Sequence, residues 1–326
     1  MNFHQVSPDC SLAPRTRAPD AGVFTLSLDC EGLWGMADSE AVFADGRINK
    51  ETLDEAYRFI AKELDRNSVR STAAFVSCFA AEREAVRSSL HMIDEIAEQV
   101  PAWFRQVLPR LKEGSGAALS GLEGHEYWKR FRQYGHEMAW HGATHLPLAP
   151  ETSREAVRSE LNLAASLGGS LGGLAKTVIY PRNQIGHMDA LRGAGFKTYR
   201  DSKAGGFSKR VTGLLREWSV WDKGDSEMPR MDGPWRVSPA GHFLNWPSGV
   251  RKTVPVAVTV QRWRSMLRHA AEHGRYVHMW FHPHNLITAP DMRIAFAQIL
   301  AEVRTLQAQG DLRVLTIAEA NGYFKL

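Results

Sequence analysis

Residues 275–282 read RYVHMWFH, and Pro283-His284-Asn285 follow at once. A short apolar run that ends in turn residues reads as a buried strand, and here its last residue is an imidazole. The same arrangement occurs three more times upstream. VFTLSLD (23–29) ends in Asp29 and continues as Cys30-Glu31-Gly32. EMAW (137–140) runs into His141-Gly142-Ala143-Thr144-His145, and TVIY (177–180) runs into Pro181-Arg182-Asn183. One acid or histidine at a strand end is ordinary. Four polar clusters in order, each closing an apolar strand, point to one site at one edge of a sheet.

Helical patterns separate these strands. Leu53, Tyr57, Ile60 and Leu64 recur at helical spacing within 50–66, and Met292, Phe296, Ile299, Val303 and Leu306 form one apolar face in 290–309. Residues 153–167, 187–193 and 259–273 read the same way. STAAFVSCF (71–79), FKTYR (196–200) and LRVLTI (312–317) add strands. Strands alternating with helices favour a parallel sheet. The expectation is an α/β fold: a distorted (β/α) barrel of about seven parallel strands, with its chemistry at the strand C-termini. It forms a single domain over 23–326, with a helical insertion near 81–133. Residues 1–22 read as an irregular N-terminal arm, and 202–250, rich in Gly, Pro and Trp, as a long irregular loop region with short strands.

The composition narrows the function classes. With 326 residues, 44% hydrophobic and 23% charged, bulk disorder is excluded. A net charge of +4 is too weak and dispersed to argue for a nucleic-acid partner. No stretch approaches the ~20 apolar residues of a membrane span. The first 22 residues carry no apolar signal core. Three cysteines without a CxxC pair argue against a disulfide framework or a cysteine zinc site. The expected location is the cytoplasm.

His141 and His145 can turn toward one centre if the backbone between them is helical or tightly turned. Imidazole nitrogens suit zinc and related divalent ions, and a carboxylate completes a three-ligand site with an open position. The metalloprotease pattern HExxH is absent. Asp29 and Glu31, two apart on an extended strand end, point the same way. One can bind metal while the other takes a proton from metal-bound water. Residue spacing alone leaves the assignment open.

Taken together, these motifs resemble the NodB-homology polysaccharide deacetylases, carbohydrate esterase family 4. FTLSLDCEG (24–32) resembles that family's Thr-Phe-Asp-Asp-Gly motif. GHEMAWHGATH (135–145) resembles its His-Ser/Thr-x-x-His motif, YPRN (180–183) its Arg-Pro-Pro-type motif, and MWFHPHN (279–285) its late histidine motif. The resemblance spans roughly residues 23–317. It implies Asp29 as general base, Glu31, His141 and His145 as metal ligands, Arg182 as the partner of the base, and His282 as proton donor to the leaving amine. Cys30 separates two acids that are usually adjacent, so the reverse assignment of Asp29 and Glu31 stays open. Gly142 replaces Ser/Thr, and the second Pro of the arginine motif is missing. No aspartate clearly matches the one that tunes the acid histidine; Asp201 and Asp222 are the candidates.

The implied activity is that of a metal-dependent hydrolase removing an N-acyl group, with N-acetyl expected, from an amino sugar. The setting is surface polysaccharide (lipopolysaccharide or exopolysaccharide) biosynthesis. Its cofactor is one divalent metal, zinc in the first place and cobalt, nickel or manganese as alternatives. The substrate is a nucleotide-linked, lipid-linked or oligosaccharide amino sugar. The alternatives are a deformylase or other C–N hydrolase on a sugar amide, and a non-catalytic glycan-binding relative. Trp34 and His284 are expected to line the cleft, and Cys30 to be a small buried residue.

Overall fold

The computed structural model describes residues 21–173, 175–202, 218, 223–224, 227–244 and 249–326. The sheet is built around β1 (Gly22–Cys30), whose nine residues are all buried. The other strands are β2 (Thr72–Phe75), β3 (Glu137–Trp140), β4 (Thr177–Val178), β5 (Thr198–Arg200), β6 (Arg230–Asp232), β7 (Trp235–Ser238), β8 (His242–Phe243), β9 (Tyr276–Phe281) and β10 (Leu312–Val314). Among the described residues they form one ten-stranded sheet in the order β6-β7-β5-β4-β3-β2-β1-β9-β8. β10 shares an edge of β1 with β2: Gly22, Val23 and Phe24 pair with β10, and Ser27 to Cys30 pair with β2. All pairings are parallel except β6 with β7.

The sheet is thus an α/β half-barrel, consistent with the distorted barrel expected from the sequence but with more strands. The seven expected strands are β1 to β5, β9 and β10. The additional three, β6, β7 and β8, lie in the irregular region 202–250 and span two to four residues each, too short to carry a readable period. Among the described residues the end strands β6 and β8 do not pair with each other, so the sheet curls without closing.

β1 alternates although it is buried throughout. Phe24, Leu26, Leu28 and Cys30 join the hydrophobic core. Thr25, Ser27 and Asp29 face the other way, where Thr25 Oγ1 and Ser27 Oγ meet His278 at 2.7 and 3.0 Å. The period of two carries this polar face on to Glu31 and so fixes where the chemistry lies.

The long helices fall close to their expected positions, at Lys50–Arg66, Arg154–Gly168, Val256–His273 and Asp291–Ala308. The first starts with a capping box between Asn49 and Thr52. STAAFVSCF is only half strand. Ser77–Ala80 forms a helical turn, because the Ser77 and Cys78 amides donate to the Gly142 and Ala143 carbonyls rather than continuing a ladder. The region 81–133 holds the helices Arg83–Ser88, Leu90–Gln99, Pro101–Phe104, Val107–Glu113 and His125–Gln133. No helix among the described residues is long and apolar enough to cross a membrane. Residues 1–20 of the expected arm lie outside the described residues, as does Asp222.

Candidate metal and catalytic site

Asp29 lies at the end of β1 and Glu31 just past it, their side chains on the polar face. β3 delivers His141, whose amide still bonds the Phe75 carbonyl of the neighbouring strand. The chain then turns tightly rather than forming a helix. Gly142 has φ +84° and His145 φ +63°, which swings His145 back onto His141. Gly142 is the residue type that tolerates this conformation, and a Cβ there would crowd the His145 backbone and Pro181.

Glu160 holds the turn. It lies on the helix Arg154–Gly168 and is fully buried. Its Oε2 accepts the Ala143 and Thr144 amides at 2.8 and 3.1 Å, and its Oε1 accepts the Thr144 hydroxyl. Burial pushes the Glu160 carboxyl up to about 7, against the lowering effect of these donors.

Glu31, His141 and His145 converge, with one ligand atom from each lying within 4.8 Å of the others. Glu31 Oε2 is 2.7 Å from His145 Nε2 and 3.2 Å from His141 Nε2, and the two Nε2 atoms are 3.2 Å apart. His141 Nδ1 is 2.7 Å from the Ile179 carbonyl. It must donate there, so in the neutral ring Nε2 carries a lone pair into the cluster. Two imidazole nitrogens and one carboxylate oxygen aimed at a common point are a donor set suited to a divalent ion. Burial disfavours a charged carboxyl at Glu31, but His145, His282 and His141 outweigh it and hold the group well below its usual range. Gly35 is required here, since a Cβ at that position would collide with the Glu31 carboxylate.

Asp29 stands beside this cluster in an ion pair of its own. The Arg200 guanidinium, 1% exposed, grips it with two parallel bonds of 2.8 Å. Arg200 also donates to Ser27 and Asn183 and lies 4.5 Å over the Trp280 ring. Burial alone would raise the Asp29 carboxyl, but Arg200, then His141 and His282, bring it down to about 2. Asp29 is therefore an ionised, oriented acceptor.

His282 closes the far side. Its Nε2 is 3.9 Å from Asp29 Oδ2 and 3.8 Å from Glu31 Oε1. Its Nδ1 is 3.2 Å from Asn285 Oδ1. His284 stacks on His282 with ring centroids 5.0 Å apart, and its Nδ1 lies 3.9 Å from Glu31 Oε1. Burial drives the His284 ring down to about 3, so it is neutral.

Three expectations need correcting. Arg182 does not partner the base. It bonds Asp38 at 2.6 Å and lies 4.5 Å over the Trp103 ring. Its backbone φ of +53° turns the side chain outward, while Asn183, also left-handed, reaches Arg200. Trp34 is not in the cleft: it is fully buried and donates to the Leu122 carbonyl. Asp201 does not face His282 but pairs with Arg230. Asn285 Oδ1 instead meets His282 Nδ1.

Arg200, Asn285 and Glu160 were not singled out in the sequence. Arg200 had a signal, since it ends the strand FKTYR with a charge, as Asp29 ends VFTLSLD. Asn285 is visible in the run HPHN. Glu160 is indistinguishable from a solvated helix glutamate until the helix is packed.

No family model and no curated protein matches the chain. Among solved structures it is similar to a Mycobacterium smegmatis protein assigned as a polysaccharide deacetylase. The TM-score is 0.58 at 16% identity, over 95% of this chain and 93% of that one. A Pseudomonas aeruginosa PAO1 protein with the same assignment superposes with a TM-score of 0.52 at 12% identity, over 92% and 90%. At these identities the likeness is one of fold. The chain has the polysaccharide deacetylase fold, as the resemblance of its motifs implied.

Proposed function

We propose that this chain, which carries the polysaccharide deacetylase fold, is a metal-dependent hydrolase that removes an N-acyl group from an amino sugar. N-acetyl is the expected group. The observation that carries the reading is the placement of an Arg-held carboxylate, Asp29, beside a buried Glu31–His141–His145 cluster, with a half-buried imidazole opposite. An acceptor, a three-donor metal site and a proton donor are what amide hydrolysis needs.

Glu31, His141 and His145 would hold the ion. When bound, it supplies Lewis acidity and lowers the pKa of a water. Asp29 takes the proton from the attacking water, and Arg200 keeps its carboxylate ionised and aimed. His282 gives a proton to the departing amine, with Asn285 holding Nδ1 so that Nε2 faces the reacting centre. Zinc is the expected metal, with cobalt, nickel and manganese as alternatives. The proposed setting is the cytoplasm, on a nucleotide-linked, lipid-linked or oligosaccharide precursor of surface polysaccharide.

The test is acetate release from N-acetylated amino sugars, run with metal analysis of the same preparation. Release that stops on chelation and returns with metal is the expected result. Bound metal with no release from any acylated sugar, formamides included, refutes hydrolysis and leaves a glycan-binding relative.

A further inference from the structure

We propose that Arg182 and Asp38, beside the Trp103–His145 stack, form a subsite that binds the hydroxyl groups of a neutral sugar residue adjoining the one that is deacylated. The proposal rests on the deacylase reading above for the identity of the neighbouring sugar, and on geometry for the rest. Non-glycine residues rarely adopt a left-handed backbone, and where they do so next to a site the strain is a pointer to function. Three of the six residues from 182 to 187 do so here: Arg182, Asn183 and His187, at φ +53°, +54° and +52°. The run is pinned to the reacting centre from two sides. Asn183 Oδ1 accepts from Arg200 at 2.8 Å, and Arg200 grips Asp29. Pro181 packs against Gly142, next to His141.

This conformation sends Asn183 inward and Arg182 outward. The guanidinium then lies over Trp103 at 4.5 Å, and Trp103 in turn stacks on His145 at 5.9 Å. Arg182 is thus one ring removed from a proposed metal ligand, on a rigid aromatic shelf. Asp38 comes from the turn that follows Glu31 and bonds one edge of the guanidinium at 2.6 Å. Both side chains remain open to solvent, at 39% and 36% exposure.

The pair selects a ligand by its chemistry. It presents donors from the free edge of the guanidinium beside an acceptor oxygen, with no net charge. A sugar hydroxyl both donates and accepts, so two neighbouring hydroxyls match the pair. Because the two charges cancel within the ion pair, a phosphate or uronate gains no net attraction there, and neutral hydroxyls meet no competitor.

The experiment is binding of a panel of N-acetylated oligosaccharides (neutral, uronate-bearing and phosphorylated) to the Asp29→Asn chain. The native chain stripped of metal by chelation serves as a second arm in case that variant misfolds. Neutral oligosaccharides should bind best. Arg182→Met keeps the stem on Trp103 but removes the donors, and should weaken neutral binding about tenfold, the loss expected for a charge-assisted hydrogen bond. It should leave the N-acetylated monosaccharide unaffected. Asp38→Asn should shift preference toward the anionic members. No oligosaccharide binding in either arm, unchanged affinity in Arg182→Met, or a native preference for anionic glycans would each overturn the subsite. Acetate release by the native chain from the same panel tests the deacylase reading separately, since a sugar can bind without being hydrolysed.

Discussion

Replacing Glu160 separates the shape of the metal turn from the charge that supports it. Its carboxylate accepts two backbone amides and one hydroxyl, from Ala143 and Thr144, all fully buried. Glu160→Leu would leave two buried N–H groups without partners, at about 1–3 kcal/mol each. Against a total stability of about 5–15 kcal/mol, that is enough to loosen the turn and lose metal. Glu160→Gln should behave differently. Its amide oxygen can accept both N–H groups, and its amide nitrogen can donate to Thr144 Oγ1.

The sign with pH follows from burial, which holds the folded Glu160 carboxyl at about 7 against an ordinary 4.5. A raised folded pKa means stability that is fully present below about 4.5 and is lost as pH rises through 7. The full loss is about 3 kcal/mol. Glu160→Gln has no proton to lose and escapes that decline. Urea unfolding of metal-free native and Glu160→Gln chains at pH 5 and pH 8 measures the difference. The two should be close at pH 5, and Glu160→Gln should be more stable by up to about 3 kcal/mol at pH 8. Parallel pH dependences, or a glutamine variant that loses metal as readily as the leucine variant, would refute the reasoning.

Arg200→Met should cost about 3–5 kcal/mol in thermal or urea unfolding, because it strands a buried carboxylate. In surviving protein, burial should push the Asp29 carboxyl up and move the acid limb of the pH–rate profile to higher pH; Arg182→Met should leave that limb in place. Asp29→Asn should abolish turnover with metal retained, whereas Glu31→Gln and His141→Ala should lower metal content in elemental analysis; equal metal loss in all three would cancel the division of roles. His282→Ala should lower kcat by roughly 10²–10⁴ and spare substrates with activated leaving groups, and Asn285→Ala should reproduce a smaller part of the same loss.

The periodicity of the chain was enough to place the seven main strands and the long helices, because each is long or apolar enough to carry its own pattern. The polar residues at four strand ends marked the site for the same reason: in a parallel sheet all strand C-termini open on one side. That Glu31, His141 and His145 meet follows from local arithmetic, a period of two along β1 and a tight turn after β3. Which arginine faces Asp29 did not follow. Arg182 and Arg200 both end strand signals, and the choice depends on a left-handed backbone at 182–183 and on β5 lying beside β4, so that Arg200 reaches across the curled sheet to β1. The same holds for Trp34, carried into the core by the turn after β1, for Trp103, brought beside His145 by the helical insertion, and for Glu160, whose partners lie on another element. A residue's type and local period are properties of neighbours in the chain and are legible there. Its partner is a property of distances closed only when the sheet curls, and these positions were decided by the tertiary structure alone.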